Sequence, residues 1–195
     1  MRLSGLSHAE QAERLIAGGA RIIQLREKHL SPRAFYASAV EVIKAVDPSV
    51  VVIINDRVDI ALAVKADGVH LGQDDMPPER ARAILGPNAI IGLSTHTMEQ
   101  VIEAALLPVD YIAFGPIFDT RSKTDGEAVV GLAGLAKARE AAGRLPLVAI
   151  GGIDEPNLPA VFEAGADSAA MIGAIVSDAD SITSRMRHFN THFCK

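Results

Sequence analysis

Three times in this chain a helical pattern ends in a small residue and an aspartate that lead straight into a short apolar run. These junctions are Lys65-Ala66-Asp67-Gly68, Pro108-Val109-Asp110-Tyr111 and Gly165-Ala166-Asp167-Ser168. Gly19-Ala20-Arg21-Ile22 repeats the junction without the acid. A recurring helix-to-strand junction means a repeated strand–helix unit, and such units build a parallel sheet covered by helices. The apolar runs agree. Val51 to Ile54 is β-branched throughout and stops at Asn55-Asp56, and Gly68 to Leu71 is apolar apart from His70 and stops at Gly72-Gln73-Asp74-Asp75. Short continuous runs of this kind read as strands buried on both faces.

Local signals place the other elements. Ser7-His8-Ala9-Glu10 is a capping box for a helix over 7–18, closed by Gly18-Gly19. Pro32 sits at the first position of a helix running to about Val46. Further helices are predicted over 57–64, from Pro77-Pro78 to Leu85, from the Thr97/Gln100 capping box to Leu107, and over 131–142, 156–164 and 178–189. Strands are predicted over 21–25, 50–54, 68–71, 89–92, 111–114, 147–150 and 169–172. No Gly-x-Gly-x-x-Gly follows the first strand, so a (β/α)8 TIM barrel is favoured over an open doubly wound sheet. A length of 195 residues fits one domain spanning 1–195. The pattern holds eight helices but seven strands, and it opens on a helix. The expectation is a barrel lacking its first strand in this chain, with that strand upstream in the native product. Such a barrel exposes two strand edges, which is an aggregation hazard.

Composition narrows the function. A formal charge of −5 and an aromatic content of 4% argue against a nucleic-acid partner, which needs a basic surface and stacking platforms. No apolar run has the roughly 18 residues of a membrane span, and no signal peptide opens the chain. The single cysteine, Cys194, forms no disulfide within the chain, which fits a reducing cytoplasm. The sequence does not fix the oligomeric state, and a homo-oligomer is compatible with it.

In a (β/α)8 barrel the active site lies at the C-terminal ends of the strands. Those ends carry Gln24, Arg26 and Lys28; Asn55 and Asp56; Gln73, Asp74 and Asp75; Ser94 and His96; Gly115, Thr120, Ser122 and Lys123; Gly151-Gly152; and Ile172-Gly173. Asp56 and Asp75 end neighbouring predicted strands. Two carboxylates at one mouth repel unless a cation separates them, which points to a hard divalent ion such as Mg²⁺. Arg26 and Lys28 alternate around Glu27 and suit an anion, although a solvated loop reads the same way. Asn55-Asp56 and Asp74-Asp75 also read as helix caps. Gly151-Gly152 near the end of the penultimate strand, with Gly173 after the last, matches a barrel phosphate site built from backbone N–H groups. His70 reads as a hydrogen-bonded core residue. His96 reads either as a proton carrier or as part of the turn before Thr97. Two anion sites at one mouth suggest two phosphorylated small-molecule reactants, one of them a diphosphate beside the metal.

These motifs resemble the thiamine phosphate synthase family. The resemblance rests on Gln-Leu-Arg-Glu-Lys at 24–28, Asn-Asp-Arg at 55–57 and Gly-Val-His-Leu-Gly-Gln-Asp-Asp at 68–75, then Gly-Pro-Ile-Phe with Thr120 and Ser122-Lys123, and Ile-Gly-Gly-Ile at 150–153. It implies a (β/α)8 transferase that joins a hydroxymethylpyrimidine diphosphate to a thiazole phosphate and releases diphosphate by a dissociative route. It implies Mg²⁺ on Asp56 and Asp75. It implies that Gln24, Leu25, Arg26, Glu27, Lys28, Asn55, Ser94 and Lys123 hold the pyrimidine diphosphate, with Arg26, Lys28, Lys123 and Ser94 as the catalytic set. Thr120, Arg121, Ser122, Gly152, Ile172 and Gly173 would hold the thiazole phosphate. Gly173 stands where some relatives carry a hydroxyl. A related thiazole tautomerase shares Asn-Asp-Arg and Ile-Gly-Gly and would use a histidine such as His96. A phosphate-binding barrel without turnover is the reading from another class.

Overall fold

The computed structural model describes residues 4–120 and 128–193. Two compact units form, one from Met1–His70, Ile84–Ala89 and Ile175–Lys195, the other from Leu71–Ala83 and Ile90–Ala174. In the first, α1 (His8–Ala17), β1 (Ile22–Leu25), α2 (Pro32–Ala45), β2 (Val51–Asn55) and α3 (Val58–Val64) follow in order, leading into β3 (Gly68–Leu71). The strands pair in parallel, with Ile23 opposite Val52 and Asn55 opposite His70. Both predicted caps on this side form: Ser7 and Glu10 close a reciprocal capping box on α1, and the Ser31 hydroxyl accepts the Ala34 N–H of α2. Phe35, Ala39 and Val42 of α2 bury against the same core as Val52, Ile54, Ile60 and Ala61.

The C-terminal helix belongs to this unit and packs on α1. A Cβ at Gly18 would lie 2.5 Å from the Met186 Cβ and 2.8 Å from the Thr183 carbonyl oxygen. Only glycine therefore permits the helices to approach this closely. Arg14 donates to the Ala179 carbonyl and Thr183 donates back to the Arg14 carbonyl, which pins the contact at both ends.

After α4 (Pro78–Leu85), the second unit carries β4 (Ile90–Thr95), α5 (Met98–Ala104), β5 (Tyr111–Phe114), α6 (Gly131–Ala142), β6 (Leu147–Ile150), α7 (Leu158–Glu163) and β7 (Ser168–Ala170). Strands β4 to β7 pair in parallel in chain order. Ile91, Ile112, Leu135, Ala138 and Leu147 are fully buried and form its core. The chain then passes through α8 (Gly173–Val176) to α9 (Ile182–Phe193).

The junction aspartates explain why the repeat recurs. Asp67 donates its N–H to the Val52 carbonyl, and its carboxylate accepts the Val52 N–H at 2.7 Å. Asp110 does the same with Ile91, and Asp167 with Leu147. Each carboxylate thus satisfies an N–H at the start of the preceding strand, where the ladder has not yet begun. An arginine backs two of them: Arg82 reaches Asp110 at 2.6 Å and Arg139 reaches Asp167 at 2.5 Å.

Several boundaries differ from the sequence reading. Strand β4 continues past Gly92 to Thr95, because the buried Thr95 hydroxyl finds the Ala113 carbonyl at 3.0 Å and the strand loses nothing by burying it. Strand β7 stops at Ala170, so Ile172 lies beyond it and is exposed. A short helix, α8, stands between β7 and the last helix, which covers 182–193 instead of 178–189. Its anchors are the buried Ile182 and Phe189, two turns apart. Helix α7 begins at Leu158, after Asn157, and not at Pro156. Among the described residues seven strands are present, as the sequence pattern counts.

Candidate active site

The end of β1 alternates. Leu25 is buried, Gln24 is exposed, Arg26 and Glu27 are half-buried, and Lys28 is exposed. Lys28 Nζ meets Asp56 Oδ2 at 2.6 Å, which joins the ends of β1 and β2. Arg26 has no ion-pair partner among the described residues. Glu27 turns the other way. Its Oε1 accepts the His29 N–H at 2.8 Å, and its Oε2 lies 3.9 Å from His8 Nε2. Burial pushes the Glu27 carboxyl up, but the His29 amide, the His8 ring and the Leu30 and Lys28 amides outweigh it and hold it below its ordinary value.

Asn55 ends β2 and is buried, with 5% of its surface exposed. Asp56 follows in the left-handed region, φ 63°, with its N–H on the His70 carbonyl at 2.8 Å. Non-glycine residues adopt this conformation sparingly, and such strain collects at functional turns. The turn aims the carboxylate back at Lys28. Arg57, by contrast, is spent locally on Asp59, whose carboxyl it holds low through a bidentate hydrogen bond.

In the second unit Asp75 curls back on its own loop and accepts the Gly72 N–H at 2.7 Å. Gln73 donates to the Ser94 carbonyl at 2.6 Å, so the loop after β3 is tied to the end of β4. Ser94 itself is buried. His70 is buried inside β3, and its carbonyl accepts the Asp56 N–H. His96 is fixed in the turn: its N–H bonds Gln100 Oε1 at 2.7 Å, and Nδ1 donates to the Gly115 carbonyl at 2.6 Å. A carbonyl only accepts, so this contact puts a proton on Nδ1.

Gly151 and Gly152 follow β6 with φ 92° and 66°. A Cβ on Gly152 would lie 2.5 Å from the Asp119 carbonyl oxygen and 2.7 Å from the Phe118 Cβ. The loops after β5 and β6 therefore lie against one another, zipped by Ile117 N–H to the Ile150 carbonyl and Phe118 N–H to the Gly151 carbonyl. Asn157 braces the turn by donating to the Gly152 carbonyl at 3.0 Å. Thr120 is half-buried at the end of this loop. Gly173 opens α8, and a Cβ there would meet nothing within 4 Å. Arg121, Ser122 and Lys123 lie outside the described residues.

The sequence reading brought out Lys28, Asp56, Asp75 and Gly152. It missed His8, Gln73's role and Asn157, since each acts on a partner that no local pattern names. An acid set between two bases in Arg-Glu-Lys gives no signal of its own that Glu27 turns to His8, since its burial forms only in the fold.

Parallel strands alternating with helices, with charged and polar groups at the strand C-terminal ends, define an enzyme of the (β/α)8-barrel class. Residues 2–175 match the family described as thiamine monophosphate synthase. The chain belongs to this family of transferases. It is 45% identical to the thiamine-phosphate synthase of Chloroflexus aurantiacus, over 94% of this chain and 84% of that protein. It is 46% identical to the Clostridium novyi thiamine-phosphate synthase, over 91% and 87%. The solved thiamine phosphate pyrophosphorylase of Pyrococcus furiosus superposes with a TM-score of 0.84 at 35% identity, covering 94% of this chain and 88% of that one. Among the described residues no helix is long and apolar enough to cross a membrane.

Proposed function

We propose that this chain condenses 4-amino-2-methyl-5-hydroxymethylpyrimidine diphosphate with a thiazole phosphate to give thiamine phosphate and diphosphate. The observation that carries the reading is the end of β1. Among the described residues Arg26 is without an acidic partner there, Lys28 is paired with Asp56, and the intervening Glu27 accepts the His29 N–H and faces His8 on α1. The acid therefore leaves Arg26 available to an anion, while Lys28 is held by Asp56.

The carbon–oxygen bond to diphosphate breaks first and the electron pair leaves with the diphosphate. The thiazole nitrogen then gives its lone pair to the pyrimidine-methyl cation. This route needs no protein nucleophile. Arg26, Lys28 and Lys123 stabilise charge as it builds on the leaving oxygens. Gln24, Leu25, Asn55 and Ser94 shape the pyrimidine side, with Asn55 in the buried end of β2, and Glu27 serves that side only through the segment it holds. Thr120, Arg121, Ser122, Gly152, Ile172 and Gly173 take the thiazole phosphate. Gly152 adopts a left-handed conformation, which leaves its backbone without a Cβ beside that proposed site.

As carboxylates, Asp56 and Asp75 suit a hard divalent cation by donor chemistry: a bound cation can displace the lysine that engages one Asp56 oxygen, and Asp75 now accepts the Gly72 N–H of its own loop. Mg²⁺ held there would supply charge neutralisation for the departing diphosphate. The test is thiamine phosphate formation from the two phosphorylated halves, with Mg²⁺ and with chelator, on wild type and Asp75→Ala. Metal-dependent product, lowered about 100-fold or more in the variant, supports the reading. Absence of product from folded wild type sinks it.

A further inference from the structure

Glu27 is the feature that the proposed chemistry does not use directly. Only 13% of its side chain is exposed, and a carboxylate so placed needs partners. It finds them away from the substrate side. His8, the first residue of α1, faces Glu27 with Nε2 at 3.9 Å and is itself 12% exposed. The other ring nitrogen, Nδ1, lies 2.7 Å from Ser38 Oγ in the middle of α2. The ring bridges the Ser38 hydroxyl on one side and the Glu27 carboxylate on the other. Two helices thus converge on one acid in the loop that carries Arg26 and Lys28.

We propose that Ser38, His8 and Glu27 form a positioning relay that sets the Arg26–Lys28 segment for the diphosphate. The proposal rests on the synthase reading given above. Its logic is geometric. Glu27 Oε1 fixes the turn at His29, immediately after Lys28. With its carboxylate engaged by the His29 N–H and facing His8, Glu27 makes no ion pair with Arg26 or Lys28. Were Glu27 released, it would lie within reach of Arg26 and Lys28 and neutralise them. The relay therefore acts twice, by holding the loop and by withholding a competing anion. His8 and Ser38 touch no reacting atom and are positioning residues only.

The test compares wild type with His8→Gln, Ser38→Ala, Glu27→Ala and the double variant His8→Gln/Ser38→Ala. Three readouts are taken: steady-state synthesis, calorimetric binding of inorganic diphosphate, and the thermal midpoint. The expectation is a KM for the pyrimidine diphosphate raised about 10-fold, with KM for the thiazole phosphate unchanged. Diphosphate affinity falls in parallel, and the double variant is no worse than either single, because one relay broken twice is broken once. Ser38→Thr, which keeps the hydroxyl, restores the wild-type value. Variants that melt like wild type and bind diphosphate as tightly overturn the relay while leaving the synthase reading intact. So do effects that add in the double variant or that fall equally on both substrates. Wild type that neither binds diphosphate nor forms product overturns the synthase reading, and the relay with it.

Discussion

Lys28 Nζ and Asp56 Oδ2 sit 2.6 Å apart, one at the end of β1 and the other on a left-handed turn after β2. Almost half of the Lys28 side chain is exposed. An ion pair so placed adds little to stability, about 0–1 kcal/mol. That leaves the proposed role of both groups toward a ligand as the one to test.

Asp56→Asn separates these roles. Asparagine tolerates the left-handed conformation, so the turn survives. The thermal midpoint should stay within about 4 °C of wild type. Thiamine phosphate formation should fall by about 100-fold or more, as when a charge-stabilising group is removed. Calorimetric melting and product assay on the same sample check both halves. A large loss of stability with normal activity per folded molecule would show that the pair is structural.

The junction aspartates should behave in the opposite manner. Asp67→Ala leaves the Val52 N–H without its carboxylate and should cost about 1 kcal/mol. Asp110→Ala and Asp167→Ala also remove an arginine's ion pair, though each arginine keeps its carbonyl partners, and should cost up to about 2 kcal/mol after allowance for their exposure. That ranks the midpoints, with Asp67→Ala the mildest and the others lower by about 2–4 °C per kcal/mol. KM values measured well below the midpoint should not move. Equal midpoints for all three would dismiss the arginines.

Two glycines near the proposed thiazole phosphate site make a contrasting pair. Gly152→Ala puts a Cβ on a left-handed residue and 2.5 Å from the Asp119 carbonyl oxygen. The strained backbone alone costs about 1–2 kcal/mol, and the displaced loop should raise KM for the thiazole phosphate. Gly173→Ser meets open space and should leave the midpoint unchanged. Denaturant unfolding with parallel kinetics tests this. A Gly152→Ala protein as stable as wild type would contradict the packing of Gly152 against the 118–119 segment.

The pH dependence of stability has a defined sign at Glu27. Its folded-state value lies below its ordinary value of 4.5. Its contribution is therefore fully present above about pH 4.5 and is lost as pH falls through the lower folded value. Wild type and Glu27→Gln should differ most above pH 4.5 and converge in more acidic buffer. Urea midpoints measured across that range decide it. A gap that widens on acidification would reverse the assignment.

Local chemistry carried much of this structure. The capping boxes at Ser7 and Thr97 form as the spacing of their partners three residues on requires, because a cap involves only neighbours in sequence. The strands β2, β3, β5 and β6 lie within one residue of the runs that predict them, since continuous apolar stretches have few other places to go. The three junction aspartates were visible as a repeat. The positions of Arg26, Lys28, Asp56 and Gly152 at strand ends followed from that alternation.

What local chemistry left open was decided by partners distant in the chain. Asp67 is recognisable in sequence, but its bond to Val52 exists only because β2 and β3 pair. Thr95 stays in β4 because the Ala113 carbonyl on β5 satisfies its hydroxyl, and nothing near residue 95 announces it. Helix α9 is placed by its contact with Gly18, far away along the chain. His8 is a helix-start residue by sequence, and only the meeting of α1, α2 and the end of β1 puts its ring between Ser38 and Glu27. The sequence determined the elements and the ends that bear charge, because short-range sterics and hydrophobic pattern are properties of neighbours. The tertiary structure decided which charges are paired, which are turned away and which remain for an anion, because those outcomes depend on distances that form only when the sheet is assembled.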